Sequence, residues 1–521
     1  MGPQSGDLGG AQAPDTAMQG RRGGITLNLV ANLVGRGWAA LAALVFVPAY
    51  LDLLGPEAYG LIGMFAVVQA WTLLFDFGLT PTLNREMARA NAGARTTDSL
   101  RDLLVSFERL ALALAILVSA IAWISAPAIA DGWLHPQSLS LSLVTDALRL
   151  IGMVAALRWW EQLYRAGVQG REDQVWLNLV HVIVETLRWG GAYLVLRFGG
   201  GGVLTFFAWQ LAVAIGSLLV VRRRLWRTLP PGTRRSRFAP AEIRGIGAFA
   251  GGMFASALLT FAITQADKLV VSRMLPLGEV GYYMLAAMVA AGLLQIIQPL
   301  NIAVLPRLTA LVASGDRDGE RALFLRASEA MAMIVLPVGL LIVSLPEAFL
   351  IAWTGDPAVA GATAPVLALL AVGMVLNALL NIPYMLQLAH GWPGLSVRVN
   401  CVLILLLLPL LILATDHYGM AGAAGLLACA GLGSIAATPK LMFDRILPDA
   451  RARWWTGAVI VPLAATAIVA AAARLLLPLP TDRVQAVLWL LLSGAAILAA
   501  AVGTTNTGRL AVRHLVARGH A

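Results

Sequence analysis

The sequence predicts an all-α polytopic membrane protein with about 14 transmembrane helices. Composition is the first observation: 59% of 521 residues are hydrophobic and only 13% are charged, roughly half the charge of an ordinary soluble domain. Mean hydropathy is +0.77. The second is the recurrence of apolar segments of about 20 residues, each long enough to cross ~30 Å of hydrocarbon as a helix. The third is the lack of an alternating barrel pattern. Open sheets are excluded, because backbone groups in lipid must be satisfied within the element.

The expected spans are 25–50, 58–80, 104–130, 146–168, 175–196, 203–221, 245–268, 280–303, 329–352, 364–388, 397–414, 419–438, 455–473 and 484–503. They group into an N-terminal six-helix bundle (23–221), a basic linker (222–244), a C-terminal six-helix bundle (245–440) and two additional helices (441–503). The flanking tails are 1–22, rich in Gly, Pro, Gln and Ala and read as disordered, and 504–521. Arg21 and Arg22 precede a first span too long for a signal-peptide core, and no small-x-small cleavage site follows, so that span is read as retained.

Loop charge sets the orientation. Arg85, Arg89, Arg95 and Arg101 follow span 2, the Arg222–Arg237 cluster follows span 6, Arg307, Arg317, Arg321 and Arg326 follow span 8, and Arg445, Arg451 and Arg453 follow span 12. The alternate turns hold chiefly Arg197, Arg273, Arg474 and Arg483. Basic loops stay inside, so both termini are expected in the cytoplasm. The net charge of +10 is thus a topology signal, and no nucleic-acid partner is expected. Cys401 and Cys429 lie in apolar spans and read as small buried hydrophobes.

A weak internal repeat supports the division at the linker. Leu54-Gly55-Pro56-Glu57-Ala58-Tyr59-Gly60 precedes span 2, and Leu277-Gly278-Glu279-Val280-Gly281-Tyr282 precedes span 8. Span 2 then ends in Pro81-Thr82-Leu83-Asn84 and span 8 in Pro299-Leu300-Asn301. Transporters are often built from such repeats.

Polar residues form stripes inside the first bundle. Asn28, Asn32 and Arg36 fall at spacing four in span 1; Arg158, Glu161 and Arg165 share a face of span 4; Asn178, His181, Glu185 and Arg188 share a face of span 5. The acids and arginines of spans 4 and 5 sit at helical pair spacings and can neutralise one another. Arg36 has no acid near it on its own helix, and an exposed arginine at the bilayer centre costs at least ~3 kcal/mol. Four arginines against Glu161 and Glu185 leave positive charge for an anionic ligand, and guanidinium forks match phosphate oxygens. This reading requires a solvent-filled space beside those side chains and fails if they are sealed in ion pairs. Asp76 in span 2 is expected to pair with an arginine or to act, with Glu161 or Glu185, as a protonatable switch.

The second bundle is less charged. Asp267 and Lys268 end span 7, as snorkelling groups or as the lining of an outer vestibule. Gln295, Gln298 and Asn301 on span 8, and Asn377, Asn381, Tyr384 and Gln387 on span 10, suit sugar hydroxyls or helix packing. Asp316-Arg317-Asp318 forms a D-x-D string in a short loop with no nucleotide-binding domain around it. HExxH, P-loop and G-x-S-x-G patterns are absent from the sequence, so no catalytic residue, metal site or cofactor is expected.

The stretch GITLNLVANLVGRGWAALAALVFVPAYLDLLGPEAYGLIGMFAVVQAWTLLFDFGLTPTLNREMARA (24–90), and ITQADKLVVSRMLPLGEVGYYMLA (263–286), resemble polysaccharide and O-antigen-repeat flippases of the multidrug/oligosaccharidyl-lipid/polysaccharide exporter superfamily. The resemblance implies two bundles flanking a V-shaped central cavity that is often cationic. It implies translocation of undecaprenyl-diphosphate-linked glycan across a bacterial inner membrane by alternating access, with proton or sodium coupling. Membrane lipids, a polysaccharide polymerase and other glycan-assembly proteins are the implied partners. Arg36, Arg158, Arg165 and Arg188 are carried over as cavity candidates by position alone. The alternatives are a cation-coupled multidrug exporter, which would need an acidic cavity, and a membrane glycan ligase or polymerase, which commonly needs a sizeable periplasmic loop.

Overall fold

A computed structural model describes residues 15–72, 74–76, 78–91, 93, 96–239, 247–392, 394–510 and 513, with side chains at all of these except 15–34, 36, 40, 75, 247–257 and 260. Its helices are α1 Asp15–Trp71, α2 Leu79–Asn91, α3 Thr97–Gly132, α4 Leu141–Gly170, α5 Gln174–Thr186, α6 Ala192–Gly199, α7 Val203–Thr228, α8 Gly247–Met274 and α9 Leu277–Ile296. They continue as α10 Gln298–Ser314, α11 Arg317–Ser344, α12 Pro346–Thr354, α13 Pro357–Leu379, α14 Asn381–Ala389, α15 Gly394–Phe443, α16 Arg451–Trp454, α17 Val461–Leu476 and α18 Arg483–Thr504.

Among the described residues ten helices are long and apolar enough to cross a membrane. This is a multi-pass membrane protein. Two of the long helices each carry a pair of expected spans. α1 turns at Gly55, whose φ of 80° is in the region glycine favours, with Pro56 starting the next arm. α15 turns at Gly419, with φ of 56°. α4 is not among the ten, because Arg149, Arg158, Glu161 and Arg165 interrupt its apolar run. Helix begins at Asp15, inside the expected tail, and residues 1–14 and 514–521 lie outside the described residues.

Both repeat-bearing spans break partway. Span 2 stops at Trp71, passes through a 3-10 turn at Leu74–Asp76 and resumes as α2. Asp76 caps the restart: its carboxylate accepts from the Thr80 N–H at 3.3 Å, the Thr80 hydroxyl, and Trp159 Nε1 at 3.3 Å. Asp76 is therefore held by neutral donors and not by an arginine. Span 8 stops at Ile296 and resumes at Gln298, where Pro299 lacks the N–H a continuous helix needs.

The chain forms two compact units, one of residues 1–53, 75–123 and 149–254, the other of 54–74, 124–148 and 255–521. The first is centred on Leu83, Met87, Leu104, Phe107, Leu163, Tyr164, Val221 and Leu225, all sealed from solvent. α7 runs on through Thr228, and its arginines find acids: Arg222 donates to Glu108 at 2.8 Å and Arg224 pairs with Asp173 at 2.6 Å. The segment that follows is stapled to the start of α3. Asp98 accepts from the Thr233 N–H at 2.9 Å, and Asp102 accepts from the Arg237 N–H at 2.8 Å and from the Arg234 guanidinium. That bond raises the Arg234 pKa above its ordinary value.

In the second unit α13 is the central helix, packed against α9, α11, α12 and α15. The two repeat turns meet there. A Cβ at Gly60 would stand 2.6 Å from the Leu277 carbonyl oxygen, and one at Gly281 would stand 2.1 Å from that of Pro56, so the two backbones touch through paired glycines. The Leu277 N–H donates to the His135 carbonyl at 3.1 Å and Trp133 Nε1 donates to Ser272 Oγ at 3.0 Å. The Glu57 carboxylate accepts from the N–H groups of Gln137, Ser138 and Leu139 at 2.5, 2.8 and 3.2 Å, capping the approach to α4. α17 and α18 pack on α11. Buried Glu329 accepts from the Thr507 N–H at 2.8 Å and from Asn506 Nδ2 at 3.2 Å. Cys401 and Cys429 are exposed on α15, which corrects their expected burial; that helix turns an apolar face outward.

Candidate functional site

Two polar centres lie within the helical units. The first joins α4, α5 and α7. At Leu187–Gly191 the helix widens into a π turn. Side chains bond to three of its carbonyls: Trp209 Nε1 donates to the Leu187 carbonyl at 2.7 Å, Gln210 Nε2 to that of Arg188 at 3.0 Å, and the Tyr50 hydroxyl to that of Trp189. Gly191 lets the Trp209 ring approach, since a Cβ there would stand 2.6 Å from it.

The turn aims Arg188 inward. Its Nη1 lies 2.6 Å from Glu185 Oε1 and its Nη2 3.2 Å from Glu161 Oε2. Glu161 also accepts from Arg165 at 3.3 Å and from Ser217 Oγ at 2.7 Å. Exposure of the Arg188, Glu161 and Glu185 side chains is 7%, 3% and 9%, against 15% for Arg165. Half-buried Arg158 stands within electrostatic reach of Arg188, Glu185, Glu161 and Arg165. Three guanidiniums face two carboxylates, leaving one positive charge when His181 is neutral. His181 Nδ1 lies 4.0 Å from Glu185 Oε1, and both that nitrogen and Arg188 Nε lack hydrogen-bond partners.

The sequence reading of Arg188 as a phosphate ligand in a wet chamber is corrected here. Carboxylates three residues away on its own helix and across on α4 each take a bond from one of its terminal nitrogens, because a low-dielectric interior favours pairing over an open guanidinium. The cavity beside the cluster, about 430 Å³, is lined by Val180, Val184, Trp209, Val213 and Val220, with Ser217 as its polar member. Glu161 and Glu185 are likewise committed to pairs. Arg158 and Arg165 are half-buried, and Arg165 is paired with Glu161. Asn28, Asn32 and Arg36 lie on α1, with side chains outside the described residues.

The second centre is a cavity of about 400 Å³ in the second unit, among α8, α9, α13 and both arms of α15. Its polar lining is Thr264, Gln265, Asp267, Lys268, Asn377 and Ser434; Ala287, Leu370 and Leu407 contribute to an apolar remainder. Gly373 and Gly431, whose close approach holds α13 against α15, lie in its wall. Asp267 is 5% exposed and accepts from the Tyr283 hydroxyl at 2.8 Å. Lys268 Nζ lies 3.3 Å from Asp267 Oδ1 and donates to the Thr264 carbonyl at 2.8 Å. This ammonium is anchored on one side and open to the cavity on the other.

Of the expected vestibule residues, Asp267, Lys268 and Asn377 meet here. Gln295, Gln298, Asn381 and Tyr384 do not line this cavity. Gln295 and Tyr384 are exposed, and the Asn381 side-chain oxygen is buried without a donor. Thr264, Ser434 and Tyr283 were not legible as site residues, since single hydroxyls at helix packing positions carry no sequence signal. Asp316 of the D-x-D string caps α11 by accepting from the Gly319 N–H at 2.9 Å, a structural task. Among the described residues no group of three metal-ligating side chains is assembled.

Solved membrane-protein structures share this fold of broken helices. The inward closed conformation of lipid II flippase MurJ superposes with a TM-score of 0.67 at 12% identity, over 91% of this chain and 98% of that one. An inward-facing multidrug resistance MATE family transporter of the MOP superfamily gives 0.64 at 17%, over 82% and 98%. The chain belongs to the polysaccharide biosynthesis protein family, whose model matches residues 25–312. A Shigella flexneri protein named as a candidate O-antigen transporter is 24% identical over 415 residues, 77% of this chain and 93% of that protein.

Proposed function

We propose that this protein is a flippase that carries undecaprenyl-diphosphate-linked oligosaccharide across the bacterial inner membrane, with both termini in the cytoplasm, for surface polysaccharide synthesis. The observation that carries the reading is the 400 Å³ cavity, in which the paired Lys268 ammonium and Asp267 carboxylate and four neutral hydrogen-bonding side chains line an otherwise apolar helical interior. Amides and hydroxyls match sugar hydroxyls, and an anchored ammonium attracts phosphate without the cost of fixing a free lysine. The family and the fold support the same reading.

The mechanism is alternating access. The lipid tail stays in the bilayer while the headgroup passes through polar space. Lys268 meets the diphosphate. The seam of paired glycines in the second unit parts and closes during the cycle. Asp76, Glu161 and Glu185 are the acids through which a proton or sodium gradient would act, and a polysaccharide polymerase takes the delivered product.

Reconstitution in proteoliposomes with a fluorescent lipid-linked glycan tests this. The wild-type protein is expected to accelerate loss of fluorescence to an impermeant quencher and to leave the glycan intact. An unchanged rate overturns the proposal. Recovery of a cleaved or extended glycan would replace it with a ligase or polymerase, and drug efflux without glycan movement would replace it with an exporter.

A further inference from the structure

A second polar pocket, separate from both centres, opens where α11 begins and where α14 and α15 end. Its volume is about 180 Å³, and Arg317, Glu320, His390, Trp392, Arg445, Ile446 and Leu447 line it. The transport reading uses none of them.

Its parts are held in place. After α14 the chain turns through Gly391, with φ of 64°, and the Trp392 N–H donates to the Gln387 carbonyl at 2.9 Å. The Arg445 guanidinium stacks on the Trp392 ring, 4.3 Å from its centroid. Ile446 and Leu447 turn inward, and Leu447 takes a φ of 50° that few non-glycine residues adopt. Such a conformation persists where surrounding contacts fix it. At the base, buried Glu320 lies 2.7 Å from His390 Nε2, so the acid is committed to the imidazole. Asp444 is engaged by Arg451 at 3.2 Å, and Asp316 by the first turn of α11.

Arg317 and Arg445 are exposed and, among the described residues, neither reaches a carboxylate at ion-pair distance. They face one space, with the positive end of the 28-residue helix α11 beside them. Two open guanidiniums, one of them placed over an indole, present fork donors for a tetrahedral oxyanion. The space suits one phosphate group.

We propose that this pocket binds the anionic phosphate of a phosphate ester, at a site distinct from the translocation route. The phosphate comes from a phospholipid headgroup at the membrane surface or from a soluble phosphate. Occupancy ties the starts and ends of α11, α14 and α15 together.

Native mass spectrometry of the purified full chain in detergent tests this, with titration by phosphatidylglycerol in one arm and inorganic phosphate in the other. The wild-type protein is expected to retain one anion more than Arg317→Gln/Arg445→Gln, whose affinity falls about tenfold or more, as expected for loss of charge-assisted bonds. A difference in the lipid arm alone assigns a headgroup, and a difference in the phosphate arm assigns a soluble ligand. Equal retention by wild type and variant in both arms overturns the proposal. Both arginines are exposed, and the single substitution Arg445→Lys, which keeps the charge but removes the fork, is expected to bind at an intermediate level in a folded protein.

Discussion

Glu161 binds Arg165, Arg188 and Ser217 at once from a site almost closed to solvent. Replacing it by Gln leaves buried Arg188 and half-buried Arg165 short of charge, a loss of about 3–5 kcal/mol. Glu161→Gln is therefore expected to lower the thermal unfolding temperature in detergent. The pair Glu161→Gln/Arg188→Met is expected to recover much of the loss, and a double-mutant cycle measures it. Lys268 behaves differently. It touches Asp267 and one carbonyl and faces open cavity; Lys268→Met alone would strand the buried Asp267 carboxylate, so the paired change Lys268→Met/Asp267→Asn is expected to fold and to slow glycan flipping tenfold or more in proteoliposomes. Flipping at the wild-type rate would remove Lys268 from the substrate path.

The helices themselves were legible in the chain: the described residues of the expected apolar segments are mostly helical, and Gly55 and Gly419 mark turns inside α1 and α15. The polar stripes on spans 4 and 5 were legible too. What they do was not, because the Arg188–Glu161 pair spans 27 residues and depends on how α4 and the π turn rotate toward each other. Periodicity gives a helix its faces but does not say which neighbour each face meets. The paired glycines show the same limit. The repeat flagged Gly60 and Gly281, and only packing shows that their backbones touch. Gly281→Leu is expected to force the helices apart, since even its Cβ would stand 2.1 Å from the Pro56 oxygen, and to lower the unfolding temperature; Gly278→Ala, with open space around it, is the control.

For the molecule as a whole, the contacts between Trp133 and Ser272 and between Tyr59 and Met288 span the seam within the second unit. With exposed Cys401 and Cys429 first replaced by Ala, Trp133→Cys/Ser272→Cys is expected to react with a short bifunctional maleimide. The linked protein should stop flipping if the seam must part. Continued flipping would show that the route opens elsewhere. The course of the chain has its own consequence. It passes from one unit to the other at 53/54, 74/75, 123/124, 148/149 and 254/255, so residues 54–74 and 124–148 are seated in the later-translated half. A protease that nicks the segment between α7 and α8 would thus yield two polypeptides that still travel as one particle on a sizing column. Expression of the front portion by itself would leave those two stretches without their neighbours until the back portion is made.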